Sequence, residues 1–218
     1  MAWDWSTVFS DVPLLLKGLA VTVEATILGS ILAFILGLLL TLLRVSRIPV
    51  LAQVTWAFVE FVRSTPLLVQ LYFVYFVFPP LLGIKMSALA TGVITLGVHY
   101  AAYTSDSYRA GIQGVPRGQC EAATALSLPR ARVWMSIVLP QAIRRALPAL
   151  GNYLISMFKD TPLLLTIGVL EMVGQAEQAG SLNYSYVEPI TIAGVFFLAL
   201  SYPSSILVRR LERRVARQ

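Results

Sequence analysis

Long apolar runs, broken by few charges, set the pattern of this chain. Leu19 to Leu43 carries Glu24 as its one charged residue. A second run, from about Val50 to Leu82, holds Glu60, Arg63 and Pro66 within it. A third extends from about Ser87 to Tyr108. A fourth, from about Pro148 to Val173, is interrupted at Lys159-Asp160-Thr161-Pro162, and a fifth runs cleanly from Pro189 to Val208. A spanning helix needs roughly 20 mostly apolar residues. The pattern therefore predicts an all-α membrane protein, one domain over residues 1–218, with about five transmembrane helices. The second run reads as a surface helix over Val50–Val62 followed by the span proper, Thr65–Leu82.

Composition agrees with that reading. Hydrophobic residues make up 57% of the chain and charged residues 13%, against about 25% charged in an ordinary soluble domain. The net charge of +6 does not point to nucleic acid, because the basic residues sit between and after the apolar runs. Arg44 and Arg47 follow the first. Arg109, Arg117, Arg130, Arg132, Arg144 and Arg145 lie between the third and fourth. Arg209, Arg210, Arg213, Arg214 and Arg217 follow the fifth. With five spans these segments share one side, and the other side has only Lys17 and Lys85. The positive-inside rule puts the C-terminus in the cytoplasm and the N-terminus outside, with the basic residues near anionic lipid headgroups. The start carries Asp4 and Asp11 and no basic stretch, unlike a cleaved signal peptide. Cys120 is the single cysteine, so no intrachain disulfide forms.

The stretch GVPRGQCEAATALSLPRARVWMSIVLPQAIRRALPAL, part of a loop over about 110–147, is long enough for short helices separated by turns. Pro116 and Gly118 open the first, Leu128-Pro129 separates it from the second, and Leu139-Pro140 ends that one. Apolar and basic residues mix along it, which suits a wet interface with a protein and not a lipid-facing helix. Glu121-Ala122-Ala123, then Ser127, then Ile137-Val138-Leu139-Pro140 resembles the signature of the integral membrane subunits of binding-protein-dependent ABC importers. Ser127 stands where that signature has glycine, so a left-handed backbone there would cost more than with glycine. FVEFVRSTPLLVQLYFVYF (58–76), AAYTSDSYRAGIQGVPRGQCEAA and FKDTPLLLTIGVLEM (158–172) are similar to three ordered segments of the polar amino acid subfamily, with Asp106 where glutamate is usual.

The resemblance implies a type I ABC importer permease fold in the bacterial cytoplasmic (inner) membrane. It also implies a transport subunit and not an enzyme, moving a polar amino acid or a similar zwitterion, ectoine-type solutes included, by alternating access. Glu121, Ala122, Ala123, Ser127, Leu139 and Pro140 then belong to a coupling loop that docks on a separate ATPase dimer. An extracytoplasmic solute-binding protein and a second permease, identical or homologous, complete the assembly. ATP with magnesium belongs to the ATPase, and this chain binds no cofactor or metal. The chain contains no Gly-Lys dipeptide and hence no phosphate-binding loop of its own. A secondary transporter or channel for small polar solutes is the competing reading, and it gives the loop no role.

Two segments share a second pattern. Arg63-Ser64-Thr65-Pro66-Leu67-Leu68 and Lys159-Asp160-Thr161-Pro162-Leu163-Leu164 each read cation, polar, Thr, Pro, Leu, Leu. Thr-Pro reads as a helix restart, with proline in the first turn. Discontinuous helices point to a transporter's substrate site. A zwitterion needs a positive surrounding for its carboxylate, from Arg63 and the helix starts, and a negative one for its amine, from Asp160, Asp106 or Glu60. Arg63, Thr65, Asp106, Asp160 and Thr161 are thus the candidate substrate residues. Pairing of Arg63 with Glu60 or Asp160 for architecture alone remains open. His99, the single histidine, reads as a packing hydrogen bonder. Trp3, Trp5, Tyr184 and Tyr186 read as interface anchors, and Gly29, Gly37, Gly92 and Gly97 as points of close helix contact.

Overall fold

The computed structural model describes residues 3–46 and 48–215; Arg47 and Arg217, two of the charges used for orientation, lie outside them. The described residues contain helices and no strand. In chain order they are α1 (Trp5–Arg44), α2 (Pro49–Ser64), α3 (Leu67–Leu82), α4 (Ala88–Gln113), α5 (Arg117–Ala125), α6 (Arg130–Ile167), α7 (Met172–Asn183) and α8 (Val187–Val215). Helices α1 and α8 are each long and apolar enough to cross a bilayer. Two bent pairs, α2 with α3 at 106° and α6 with α7 at 49°, meet the same standard when taken together. Helix α4 is 26 residues long but more polar. Its Thr91, Thr95, His99, Thr104 and Ser105 are buried by neighbouring helices.

The first span is much longer than its apolar run. Helix α1 has 40 residues, because Asp4 caps it by accepting from the Ser6 N–H at 2.9 Å and Pro13 falls inside without ending it. Its two faces are sorted by size. Gly18, Thr22, Ala25, Gly29, Ala33, Gly37 and Thr41 are buried, whereas Ile27, Ile31, Ile35 and Leu39, spaced by four, are exposed. Lipid is as apolar as these isoleucines, so there is no drive to bury them. Close approach of backbones is what the small face provides. A methyl group on Gly37 would stand 3.0 Å from the Ala101 carbonyl oxygen of α4, and one on Gly29 2.8 Å from Met157 Sδ of α6. The central core joins Ala25, Ala33, Leu71, Leu96, Tyr100, Met157 and Leu164, so α1, α3, α4 and α6 converge there.

Prolines shape the helices less abruptly than the sequence suggests. The segment from Arg130 does not end at Leu139-Pro140 but continues to Ile167. A π-helical turn, Trp134–Val138, widens the helix so that the Leu139 N–H reaches Trp134 O, and Pro140 follows without a clash. The same device, Phe73–Val77 with the Phe78 N–H on Phe73 O, precedes Pro79 in α3. The expected break at Lys159–Pro162 is likewise absent. There α6 tightens into a 3₁₀ segment, Thr161–Ile167, and the chain turns at Gly168, whose φ is +85°. The turn leads to Glu171, which is fully buried. Its carboxylate caps α7 by accepting from the N–H groups of Val173 (3.0 Å) and Gly174 (2.8 Å). Thr22 of α1 accepts from the Met172 N–H at 3.1 Å, which ties α7 to the middle of α1.

Candidate functional site

Both Thr-Pro segments solve one problem of backbone chemistry. A proline has no N–H, so the carbonyl four residues before it loses its helical donor. For Pro66 that carbonyl is Val62 O, and for Pro162 it is Phe158 O. In each case the preceding threonine supplies the donor. Thr65 Oγ1 shares its one hydrogen between Phe61 O at 3.0 Å and Val62 O at 3.2 Å, and Thr161 Oγ1 donates to Phe158 O at 2.8 Å. Neither threonine caps the following helix, as a restart would require. Pro66 itself occupies the N-cap position of α3, with no side-chain cap bond. The outcomes then differ. Thr65 is extended, at φ −108° and ψ 140°, and the chain turns through 106°. Thr161 stays helical, is fully buried, and its hydroxyl is occupied by the backbone.

At the bend between α2 and α3 the Gln70 amide replaces the missing ladder. Its Nε2 directs its two hydrogens to Val62 O and Thr65 Oγ1, each at 2.6 Å, with Thr65 O at 3.1 Å sharing one of them. With that nitrogen donating, Oε1 is the acceptor for His99 Nδ1 at 3.0 Å, which assigns the proton to Nδ1 of the imidazole. His99 is thus the packing hydrogen bonder expected of it, and it joins α4 to the bend.

The charges form a compact group. Asp106 of α4 receives Arg44 from the end of α1 at 2.7 Å and Arg63 from the end of α2 on its other oxygen. Arg63 also lies 3.5 Å from Glu60. Two arginines and two carboxylates balance, which is what burial of the Arg44 side chain at 5% exposure requires. The structure brings Arg63 and Asp106 together and does not pair Arg63 with Asp160. Instead Asp160 accepts from the Tyr100 hydroxyl at 2.6 Å. Between the two carboxylates lie aromatic rings. The Arg63 guanidinium sits 5.4 Å from the Tyr103 ring centroid. Tyr103 neighbours Tyr100 at 6.2 Å and Tyr153 at 5.9 Å. Of the candidates, Arg63, Asp106 and Asp160 are thus linked through Tyr103 and Tyr100, whereas Thr65 and Thr161 spend their hydroxyls on backbone carbonyls.

Several members of this region were not singled out from sequence. Arg44 read as a topology charge, and Tyr100, Tyr103 and Tyr153 carried no signal of their own. One was available: His99, Tyr103 and Asp106 are spaced by four and three, hence on one face of α4.

The loop supplies a second region. Helix α5 buries Ala123 alone, at 2% exposure, and presents Glu121 and Ala122 outward. It ends in a turn at Ser127. Ser127 is left-handed at φ 53°. The Leu128 N–H bonds Ala123 O at 3.1 Å and the Ser127 N–H bonds Thr124 O at 2.9 Å, the double closure of a Schellman turn. Leu126, at the end of α5, and Met135 of α6 are both 74% exposed. Arg145 reaches from α6 to the Gly114 carbonyl and holds the loop's entry against the bundle. Leu139 is half-buried and Pro140 exposed, both within α6.

The family described as binding-protein-dependent transport system inner membrane component matches residues 25–217. A probable amino-acid ABC transporter permease protein, y4tG of Sinorhizobium fredii, is 44% identical over 93% of this chain and 87% of its own length. The arginine transport system permease protein ArtQ of Bacillus subtilis is 34% identical, covering 99% of this chain and 98% of its own. The glutamine transport system permease protein GlnP of Escherichia coli is 33% identical over 99% of both. A crystal structure of an amino acid ABC transporter with histidines superposes at a TM-score of 0.89 with 34% identity, over 98% of this chain and 100% of that one. An inward-facing methionine transporter, MetNI, shares the fold at 0.75 with 22% identity over 93% of this chain and 96% of its own.

Proposed function

We propose, for a chain that belongs to the inner membrane components of binding-protein-dependent transport systems, that it forms the translocation pathway of an ATP-driven importer for polar amino acids or closely similar zwitterions. It is a multi-pass protein of the bacterial inner membrane and a permease subunit, not an enzyme; the ATPase is a separate subunit. The observation that carries the substrate class is the likeness to amino-acid permeases over 93–99% of the chain at 33–44% identity. Ectoine-type solutes meet the same zwitterion requirement and stay within the proposal.

In this reading α5 is the coupling helix. Glu121 and Ala122 face a groove of the ATPase, the buried Ala123 seats the helix against the rest of the chain, the Ser127 turn fixes the helix's exit, and Leu139-Pro140, within α6, carry its motion along that helix. ATP with magnesium sits on the ATPase, and no cofactor sits on this chain. A second permease copy or homologue packs beside this one, and an external binding protein delivers solute. Rocking of the bundle opens the pathway to one side at a time. In this reading the chain crosses the membrane five times, α4 included, with the N-terminus outside and α5 in the cytosol; the basic residues around α5 and at the end of α8 support that orientation.

Two measurements test this. Cys120, the single cysteine, lies on α5. A membrane-impermeant maleimide is expected to label it in inside-out vesicles and not in right-side-out ones; the reverse overturns the orientation. In proteoliposomes holding the ATPase and binding protein, Glu121→Lys is expected to leave the complex folded and abolish solute uptake. Undiminished uptake overturns the coupling role.

A further inference from the structure

We propose that Tyr100, Tyr103 and Tyr153, with Asp160, form a cage for the cationic end of the transported solute, and that this cation is delocalised or alkylated: a guanidinium, an amidinium or a substituted ammonium. The inference rests on the importer reading above and adds to it the group that selects the solute.

The rings come first. Their centroids lie 6.2 Å (Tyr100–Tyr103), 6.1 Å (Tyr100–Tyr153) and 5.9 Å (Tyr103–Tyr153) apart, with interplanar angles of 45°, 59° and 50°. This is a near-equilateral triangle of splayed rings, neither stacked nor edge-to-face. A cation above such a triangle lies within roughly 6 Å of every centroid at once, the range over which a ring quadrupole attracts it. Tyr100 is buried and anchors the cluster. Tyr103 and Tyr153 are only half-buried, so the chain itself does not close over them.

Charge balance comes second. Arg44, Arg63, Glu60 and Asp106 neutralise one another. Asp160 has no cationic partner among the described residues. Its Oδ2 takes the Tyr100 hydroxyl, and its Oδ1 has no hydrogen-bond donor among them. A carboxylate in an intramembrane helix without a counter-charge is costly, and a cationic ligand is the missing balance. Lys159, next in sequence, does not supply it. It faces a groove with Pro162, Val173 and Ile190, on the side toward α8.

The type of cation follows from hydration. A primary ammonium is compact and strongly hydrated, and it needs several oxygen acceptors to replace its water. A guanidinium or alkylated ammonium is weakly hydrated and gains more from ring faces. One carboxylate and three rings suit the second kind. The chain displays the preference itself, since the Arg63 guanidinium already rests 5.4 Å from Tyr103. Arg63 then stands beside the cage as the pole for the solute's carboxylate.

The test uses the permease–ATPase complex in nanodiscs, with arginine, glycine betaine and glutamine as calorimetric probes. At least one of the two cationic probes is expected to bind about tenfold or more tightly than glutamine. The double variant Tyr103→Leu/Tyr153→Leu is expected to weaken that probe about tenfold or more, whereas Tyr103→Phe/Tyr153→Phe, which keeps both rings, stays within about threefold. Should the leucine variant fail to assemble, Asp160→Asn, which keeps the shape and removes the charge, is expected to give the same loss. Binding of neither cationic probe, equal binding of glutamine, or unchanged affinity in the leucine or asparagine variants overturns the cage. Binding-protein-stimulated ATP hydrolysis in the same wild-type preparation separates the two claims: its absence sinks the importer reading, and its presence with any of those results sinks the cage alone.

Discussion

Thr161→Val isolates the chemistry of the second Thr-Pro segment. Valine has nearly the shape of threonine, so no cavity opens and packing changes little. What is lost is one donor. Thr161 Oγ1 gives its hydrogen to Phe158 O at 2.8 Å, and Pro162 cannot, because it has no N–H. The site is fully buried, so water does not step in, and a carbonyl left without a partner there costs about 1–3 kcal/mol. For a chain of this length each kcal/mol moves a melting midpoint by about 2–4 °C, which places the shift at about 2–12 °C. The assay is thermal unfolding of the purified permease–ATPase complex, with Thr161→Ser as control. Serine keeps the hydroxyl and loses a methyl. The reasoning requires valine to fall below serine. If valine melts with the wild type, Phe158 O has another donor and the account of the segment is wrong.

Ser127→Gly is expected to stabilise the end of α5. A non-glycine residue in the left-handed region costs about 1–2 kcal/mol, part of which glycine returns through its freer unfolded chain, leaving about 0.5–1 kcal/mol. Exchange of the Leu128 N–H, measured by mass spectrometry, should slow about two- to fivefold; faster exchange contradicts the turn. Asp4 offers a pH test. The Ser6 hydroxyl, then the Ser6 N–H and the Thr7 hydroxyl, hold its carboxylate below its ordinary value of 3.8. A depressed folded value means that the cap's contribution is complete above 3.8 and is lost as pH falls below it. Protection of the Ser6 N–H, relative to its intrinsic rate, should persist at pH 4.5 and fade only under 3.8. Loss already at pH 5 refutes the cap.

Much of this arrangement was legible in residue order. The apolar runs located the long helices, and Pro116 and Leu128-Pro129 marked both ends of α5; at Ser127 the chain adopts the left-handed turn despite the cost expected without glycine. Proline misled at two places, because its effect depends on what repairs the backbone. Ahead of Pro140 a π-helical turn does so, and ahead of Pro162 a threonine hydroxyl does. Neither repair is visible in a window of hydropathy. Helix α4 was legible as a span but not as the centre of the polar region. Its residues acquire meaning only from what faces them: Asp106 from Arg44 and Arg63, which lie 62 and 43 residues away in sequence, and Tyr100 from Asp160, 60 residues away.

The two Thr-Pro segments share their first six positions in kind, yet one bends the chain sharply and the other does not. The difference falls eight residues after the orphaned carbonyl, where Gln70 in the first segment corresponds to Thr166 in the second. Thr166 reaches only Leu163 O, at 2.7 Å. Gln70 is long enough to cross the bend and serve Val62 O and Thr65 Oγ1 with its two amide hydrogens, Thr65 O sharing one of them. Without that reach an extended Thr65 would leave the last carbonyls of α2 bare inside the membrane, where no water can repair them. Gln70→Leu, similar in size, therefore removes the support of the bend and also the acceptor of His99 Nδ1. The Thr65 hydroxyl, shared with Phe61 O at 3.0 Å, still reaches Val62 O at 3.2 Å, so the loss is partial, about 1–3 kcal/mol for the carbonyl and imidazole left short. Spin labels at Ser64 and Val69, read by pulsed paramagnetic resonance in nanodiscs, should give one narrow distance in the wild type and a broadened, longer one in Gln70→Leu. Gln70→Glu, ionised, cannot donate and should broaden it likewise. An unchanged distance in both variants means that the bend is held by packing against α4 and that the amide is incidental.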